Sequence, residues 1–124
     1  MRVLVVDDSR VMRQIVVRAL RQAGFGSLEV VEAGDGEAGI TAVADEAPEL
    51  VLCDWNMPGT SGIEMLERLR ASGDRTPFGF VTSEAATEVH DRAAAAGADF
   101  VVTKPFTPEV LHEAIEAALA GVAS

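Results

Sequence analysis

Asp7 and Asp8 stand together directly after the apolar run Arg2–Val6, and Asp54 ends the run Glu49–Cys53. Thr82 ends Pro77–Thr82 with Ser83 directly after it, and Lys104 follows Phe100–Thr103. Three carboxylates brought into one crevice repel one another, and their ionised forms persist only beside a cation or with raised pKa values. A hard divalent cation with oxygen ligands and retained waters suits such a group, and Mg²⁺ fits that description. Lys104 adds a compact positive charge suited to a phosphoryl group, and Thr82 adds a hydroxyl donor. Together these are the parts of a phosphoryl-transfer site with a carboxylate nucleophile. Taken singly, each residue has a plainer role. An aspartate after a strand forms turns or caps helices, a lysine there is solvated, and a threonine favours strands. Only their meeting at the ends of neighbouring strands carries the chemistry.

The rest of the chain supplies the elements that bring them together. Arg2–Val6, Leu28–Ala33, Glu49–Cys53, Pro77–Thr82 and Phe100–Thr103 are short apolar runs, and each reads as a strand. Between them lie amphipathic stretches. Ser9 caps a helix whose inner face is Met12, Ile15, Val16, Ala19, Leu20 and Ala23, stopped by Gly24. Asp35 caps a helix to about Glu46, ahead of Pro48. Pro58, Gly59 and Gly62 lead into a helix with Ile63, Leu66 and Leu69 on one face. A fourth helix runs from about Ala85 to Ala96, ending at Gly97. Thr107 caps the fifth, which buries Val110, Leu111, Ala114, Ile115 and Ala118. Strands this apolar, alternating with helices, predict an α/β fold: a parallel sheet covered on both faces and wound by right-handed crossovers. In such sheets ligands bind beyond the carboxyl ends of the strands, where the residues singled out above fall.

Composition narrows the function. Ten basic against twenty acidic residues give a net charge of −10, the wrong sign for a nucleic-acid-binding module or an anionic membrane surface. At 48% hydrophobic residues the chain can build a core, yet no stretch approaches a membrane span. Asp7-Asp8 interrupt the N-terminal apolar run too early for a signal peptide. The single cysteine, Cys53, rules out an internal disulfide and a cysteine zinc site, and is expected to be a buried thiol. A reduced, cytoplasmic setting follows as the expectation.

Val5-Val6-Asp7-Asp8-Ser9, Cys53-Asp54-Trp55-Asn56-Met57-Pro58, Gly62, Val81-Thr82 and Lys104-Pro105-Phe106 carry a family likeness. Over essentially its whole length the chain resembles the response-regulator receiver domains, and around Asp54 it resembles the chemotaxis type with a single domain. The resemblance implies one receiver domain over residues 1–124, folded as a flavodoxin-like (βα)5 sheet with strand order 2-1-3-4-5. It implies that Asp54 is the phosphoacceptor, receiving its phosphoryl group from a sensor histidine kinase or phosphotransfer protein. It implies a Mg²⁺ site made by Asp7, Asp8, Asp54 and the backbone carbonyl of Asn56. Thr82 and Lys104 match the residues that engage the phosphoryl oxygens. Asn56 and Glu84 match positions that tune dephosphorylation, and their types imply a short-lived phosphoryl state. The output would be protein binding by a monomer at the face of helix 4, strand 5 and helix 5, with the flagellar motor switch among the partners implied. His90, Arg92, Val101, Thr103 and Phe106 are the candidates there. Phosphotransfer and autodephosphorylation would be self-catalysed within a signalling protein rather than an enzyme.

The sequence departs from the family's pattern at one place. Receivers commonly carry an aromatic three residues before the strand-5 lysine, and this chain has Val101. Phe100 lies one residue earlier, which in a strand is the opposite face. Phe106 is the remaining substitute. Ser83 stands where many relatives have alanine. Lys104-Pro105 is a candidate cis bond. His90 and His112 share no ligand spacing and read as surface residues.

Three other functions compete. Gly34-Asp35-Gly36-Glu37-Ala38-Gly39 matches the dinucleotide-binding fingerprint, with Asp54 downstream. Asp35 and Glu37 would oppose a pyrophosphate, so a tight turn plus helix cap explains the motif better. A phosphoaspartyl hydrolase would want a second aspartate two residues after the nucleophile, where Asn56 stands. A receiver cut from a larger regulator keeps the same site and differs only in its output.

Overall fold

The computed structural model describes residues 1–25 and 27–123, with side chains to residue 120. Apolar, β-branched runs form the strands β1 (Arg2–Val6), β2 (Glu29–Ala33), β3 (Leu50–Cys53), β4 (Phe78–Thr82) and β5 (Phe100–Thr103). The helices α1 (Arg10–Gln22), α2 (Gly36–Glu46), α3 (Gly62–Ala71), α4 (Thr87–Ala96) and α5 (Pro108–Ala123) alternate with them. All strand pairs are parallel, in the order β2-β1-β3-β4-β5. The doubly wound sheet is the one the sequence predicts, and its flavodoxin-like strand order is the one the family resemblance implies. The direction in which successive strands are added reverses between β1 and β3, so the loops after these two strands open a crevice between them.

β1 and β3 sit at the centre and are buried on both faces. Alternate residues go to opposite faces. Leu4, Val6, Val51, Cys53, Phe78 and Phe80 join one core, and Val3, Val5, Leu50, Leu52 and Val81 the other. The first core is covered by α2, α3 and α4, the second by α1 and α5.

The capping predictions hold. Ser9, Asp35 and Thr107 accept backbone N–H bonds from Met12, Ala38 and Val110 at 3.2, 2.7 and 3.2 Å. α3 opens with a capping box between Ser61 and Glu64. Gly24 takes φ +83° just after α1 ends, a conformation that costs a side chain strain.

Several expectations need correction. Leu28, Glu49 and Pro77 lie outside the strands, and α4 starts at Thr87 rather than Ala85 because Ala86 takes an extended backbone at the cap. Ile15 and Val110, assigned to inner faces, are each 47% exposed. Both sit at the margin of an apolar stripe, where helical spacing alone does not separate inside from rim. Met12, Ala23 and Ala114 are half-buried. His112 is no simple surface residue. Its ring stacks on Phe25 at 4.9 Å, with Nδ1 2.9 Å from the Ala23 carbonyl, which fastens α5 to the end of α1.

Phe100 lies under the sheet against β4. A Cβ at Gly79 would stand 2.0 Å from its ring. Gly79→Ala is therefore expected to cost about 1–3 kcal/mol by overpacking, read as a lower urea midpoint. Phe100→Leu in the same chain should recover part of that loss.

Candidate functional site

The loops that follow β1, β3, β4 and β5 meet at the carboxyl edge of the sheet. Asp7 continues β1 by donating its N–H to the Ala33 carbonyl at 3.1 Å, which leaves it only 4% exposed. Its Oδ1 accepts the Ser9 N–H at 2.8 Å, so the residue that caps α1 also orients this carboxylate. Asp8, next along the chain, is exposed, and among the described residues its carboxylate accepts no hydrogen bond. Asp54 continues β3 through its N–H to the Val6 carbonyl at 3.0 Å. Its Oδ1 accepts the Trp55 N–H at 2.8 Å.

α3 starts directly beneath this segment. Gly62 donates its N–H to the Trp55 carbonyl at 3.1 Å, and a Cβ on it would come within 2.1 Å of the Asp54 carbonyl oxygen. Only glycine lets the two backbones approach this closely.

Carboxylate oxygens of Asp7, Asp8 and Asp54 lie within 4.8 Å of one another. Lys104 Nζ stands 3.7 Å from Asp7 Oδ2 and 3.8 Å from Asp54 Oδ1. Among the described residues it alone pairs with either acid, so one ammonium faces three carboxylates. Burial pushes the Asp54 carboxyl above its ordinary value; Lys104 pulls it down, Asp7 and Asp8 push it up, and the Trp55 N–H favours the ion. The uncompensated negative charge, the all-oxygen donor set and the partial solvent access fit a small divalent cation.

Thr82 is fully buried at the end of β4, in register with Thr103. Its Oγ accepts the Glu84 N–H at 3.1 Å, and among the described residues its hydroxyl donates to no partner. Asn56 Nδ2 donates to Glu84 Oε1 at 2.8 Å. This bond joins the loop after β3 to the loop after β4. Lys104-Pro105 is cis, as anticipated.

The outlying candidates divide. Val101 is half-buried against the same core as Phe80, while Phe100 packs into the opposite core, the inversion that a one-residue shift predicts. His90 and Thr103 are half-buried and Arg92 is exposed, 3.8 Å from Glu67 on α3. Phe106, proposed for the face of α4, β5 and α5, lies instead in a groove of about 490 Å³ with Met12, Ile15 and Pro108, between α1 and α5. It does not replace the missing aromatic on the Val101 side. Trp55 is half-buried, 4.9 Å from the Phe80 ring, so the lone tryptophan connects the Asp54 loop to the core.

Sequence inspection missed Arg13. Its Nη1 donates to the Asp7 carbonyl at 2.6 Å and its Nε to Glu32 at 2.9 Å. Helical position placed it beside the inner face of α1, but nothing in its type distinguished it from the helix's other arginines.

The fingerprint glycines have structural work. A Cβ on Gly36 would lie 2.6 Å from the Thr60 carbonyl oxygen, and one on Gly39 would lie 2.8 Å from Met65. The Asp35 carboxylate already occupies the N-terminus of α2, where a pyrophosphate would sit.

Comparison with known proteins agrees with this geometry. Residues 3–116 match the family described as Response regulator receiver domain. The chemotaxis protein CheY of Pseudomonas aeruginosa is 39% identical over 118 residues, covering 94% of each chain. The solved structure of CheY4 from Vibrio cholerae superposes with a TM-score of 0.83 at 32% identity, covering 94% of this chain and 97% of that one. The signal receiver domain of the putative response regulator NarL from Mycobacterium tuberculosis gives 0.85 at 30% identity, covering 95% of each.

Proposed function

The chain belongs to the response regulator receiver domain family, and from that premise we propose that it works as a phosphorylation-switched signalling module with Asp54 as its phosphoacceptor. The observation that carries this reading is the placement of Asp54. Among the described residues it is the one carboxylate held by a backbone N–H of the β3 loop, in contact with the cluster's one cation and flanked by two further acids.

In the proposed transfer, an Asp54 carboxylate oxygen attacks the phosphorus of a phosphohistidine on the sensor kinase or phosphotransfer protein. A P–O bond forms as the P–N bond breaks, and the imidazole leaves with the electron pair and takes up a proton. Asp7, Asp8, Asp54 and the Asn56 carbonyl would hold Mg²⁺, which when bound supplies charge neutralisation for the attacking and phosphoryl oxygens. Lys104 and the Thr82 hydroxyl would receive the phosphoryl oxygens. The Asn56–Glu84 bond spans two loops at the mouth of the site, where it would control the approach of the water that later hydrolyses the acyl phosphate. As Thr82 and Lys104 regroup around the new charge, β5 and the adjoining helices would repack and alter the surface offered by His90, Val101 and Thr103. With β-branched Val101 in place of an aromatic, that change would travel by backbone shift rather than by rotation of a ring. A chemotaxis output, supported by the chemotaxis proteins among the relatives, joins a cytoplasmic location and a monomeric state to complete the proposal. Among the described residues no helix is long and apolar enough to cross a membrane.

The experiment is intact mass and Trp55 fluorescence after Mg²⁺ and then acetyl phosphate. One added phosphate that requires Mg²⁺ is expected, and no added mass at any Mg²⁺ concentration would refute the proposal. Mg²⁺ alone should also raise the melting temperature. Binding at 100 times Kd contributes about 2.7 kcal/mol, and Asp8→Asn should remove most of that rise.

A further inference from the structure

Arg13 is the one arginine of α1 that points inward. Arg10, Arg18 and Arg21 are exposed, whereas the Arg13 side chain retains 17% exposure. Its guanidinium reaches three elements. Nη1 donates to the carbonyl of Asp7 at 2.6 Å, Nε pairs with Glu32 of β2 at 2.9 Å, and Nη1 lies 3.7 Å from where a Cβ on Gly34 would stand.

The Asp7 carbonyl belongs to the peptide that links the two acids, so a bond to it sets the plane from which Asp8 departs. Asp8 needs such help. Asp7 is held through its N–H by Ala33 and through its carboxylate by Ser9, but the Asp8 carboxylate has no hydrogen bond of its own among the described residues. We infer that Arg13 is a positioning residue of the acidic site: its bond to the Asp7 carbonyl fixes the Asp7–Asp8 peptide so that Asp8 is preorganised for the divalent cation. This rests on the metal-dependent receiver function proposed above.

Glu32 makes the arrangement workable. A bare guanidinium beside three carboxylates would compete with a metal for their charge. Paired with Glu32, it keeps its directional bond and loses most of its net field. Arg13 therefore helps the metal through geometry, although its charge alone would oppose it. The two effects have opposite signs, so one measurement separates them.

The test is Mn²⁺ binding, read as the loss of the free-ion electron paramagnetic resonance signal, for the intact protein and for Arg13→Gln, Arg13→Lys and Glu32→Gln. Outer partners that orient ligands typically account for about 10–100-fold in metal affinity. Arg13→Gln should weaken binding by about tenfold, at the low end of that range. Arg13→Lys keeps the charge on one flexible ammonium in place of the planar fork and should fall between the two. Glu32→Gln should weaken binding a few-fold by freeing the opposing charge. Unchanged or tighter binding by Arg13→Gln would overturn the inference, as would a lower melting temperature with an unaltered Kd. Should Arg13→Gln fail to fold, Arg13→Lys decides: wild-type affinity there refutes a directional role. If the wild-type protein binds no Mn²⁺, the proposed receiver function fails instead, independently of Arg13.

Discussion

Asp54→Asn is expected to abolish phosphorylation by acetyl phosphate, leaving no added mass under conditions where the wild-type chain gains one phosphate. The substitution is nearly isosteric. The introduced amide would keep one oxygen to accept the Trp55 N–H and would preserve the backbone bond to Val6, so the loop after β3 should hold its shape. What disappears is the anionic oxygen that attacks phosphorus. An amide oxygen is a poor nucleophile, and nothing in the pocket would remove a proton from its nitrogen. Asp7 does not stand in for it: it is 4% exposed, with its carboxylate already engaged by Ser9 and Lys104. Asp8 is more open, and labelling that shifts to Asp8 would show that the site selects its nucleophile by access rather than by placement.

The same variant should be more stable than the wild type at neutral pH. Burial, reinforced by Asp7 and Asp8, holds the folded-state pKa of Asp54 above its unfolded value. Between those two values the folded chain binds more protons than the unfolded one, so stability falls as pH rises through the window. Above it the ionised Asp54 destabilises the fold, and asparagine removes that charge. A rise of a few degrees in melting temperature is expected at pH 7 without metal. It should shrink as pH falls through the carboxylate range and the wild-type Asp54 takes up its proton. An advantage independent of pH would place its origin in packing rather than charge.

The fold and most of the site were legible because both rest on strong local signals. Period-two and period-3.6 patterns, capping residues and polar residues at strand ends suffice to place Asp7, Asp8, Asp54, Thr82 and Lys104 at one edge of the sheet. The order of the strands was legible only through family likeness, since five parallel strands admit several windings. Two kinds of feature stayed hidden. Ile15 and Val110 sit at the margins of their helix stripes, where exposure depends on how closely α1 and α5 approach. Arg13, the Asn56–Glu84 bond and the location of Phe106 depend on contacts between segments distant in sequence, which no periodicity encodes. Phe106 shows the limit well. Its neighbour Lys104 reaches into the acidic site, yet two residues later the chain has turned under α1, and no local rule gives that direction.

Lys104→Met should produce two effects of opposite sign. The Lys104 ammonium sits 3.7 Å from Asp7 and 3.8 Å from Asp54, competing for the charge that a divalent cation would occupy. Methionine keeps the apolar stem that lines the groove beside Met12 and Phe106 while removing the charge. Mg²⁺ should then bind more tightly, by about tenfold, which corresponds to roughly 1.4 kcal/mol. Phosphorylation should nevertheless become slower, because the incoming phosphoryl group loses its cationic partner. Lys104 also makes the largest contribution holding the Asp54 carboxyl down. Without it the acid limb of the phosphorylation rate should move to higher pH at subsaturating Mg²⁺. Any phosphorylated protein that does form should fail to reorganise its output surface, since the group that links the phosphoryl charge to β5 is gone. A merely solvated lysine would move none of these quantities, and a merely structural one would weaken metal binding and phosphorylation together. Tighter metal with slower transfer is the combination that only a phosphoryl-directed ammonium produces.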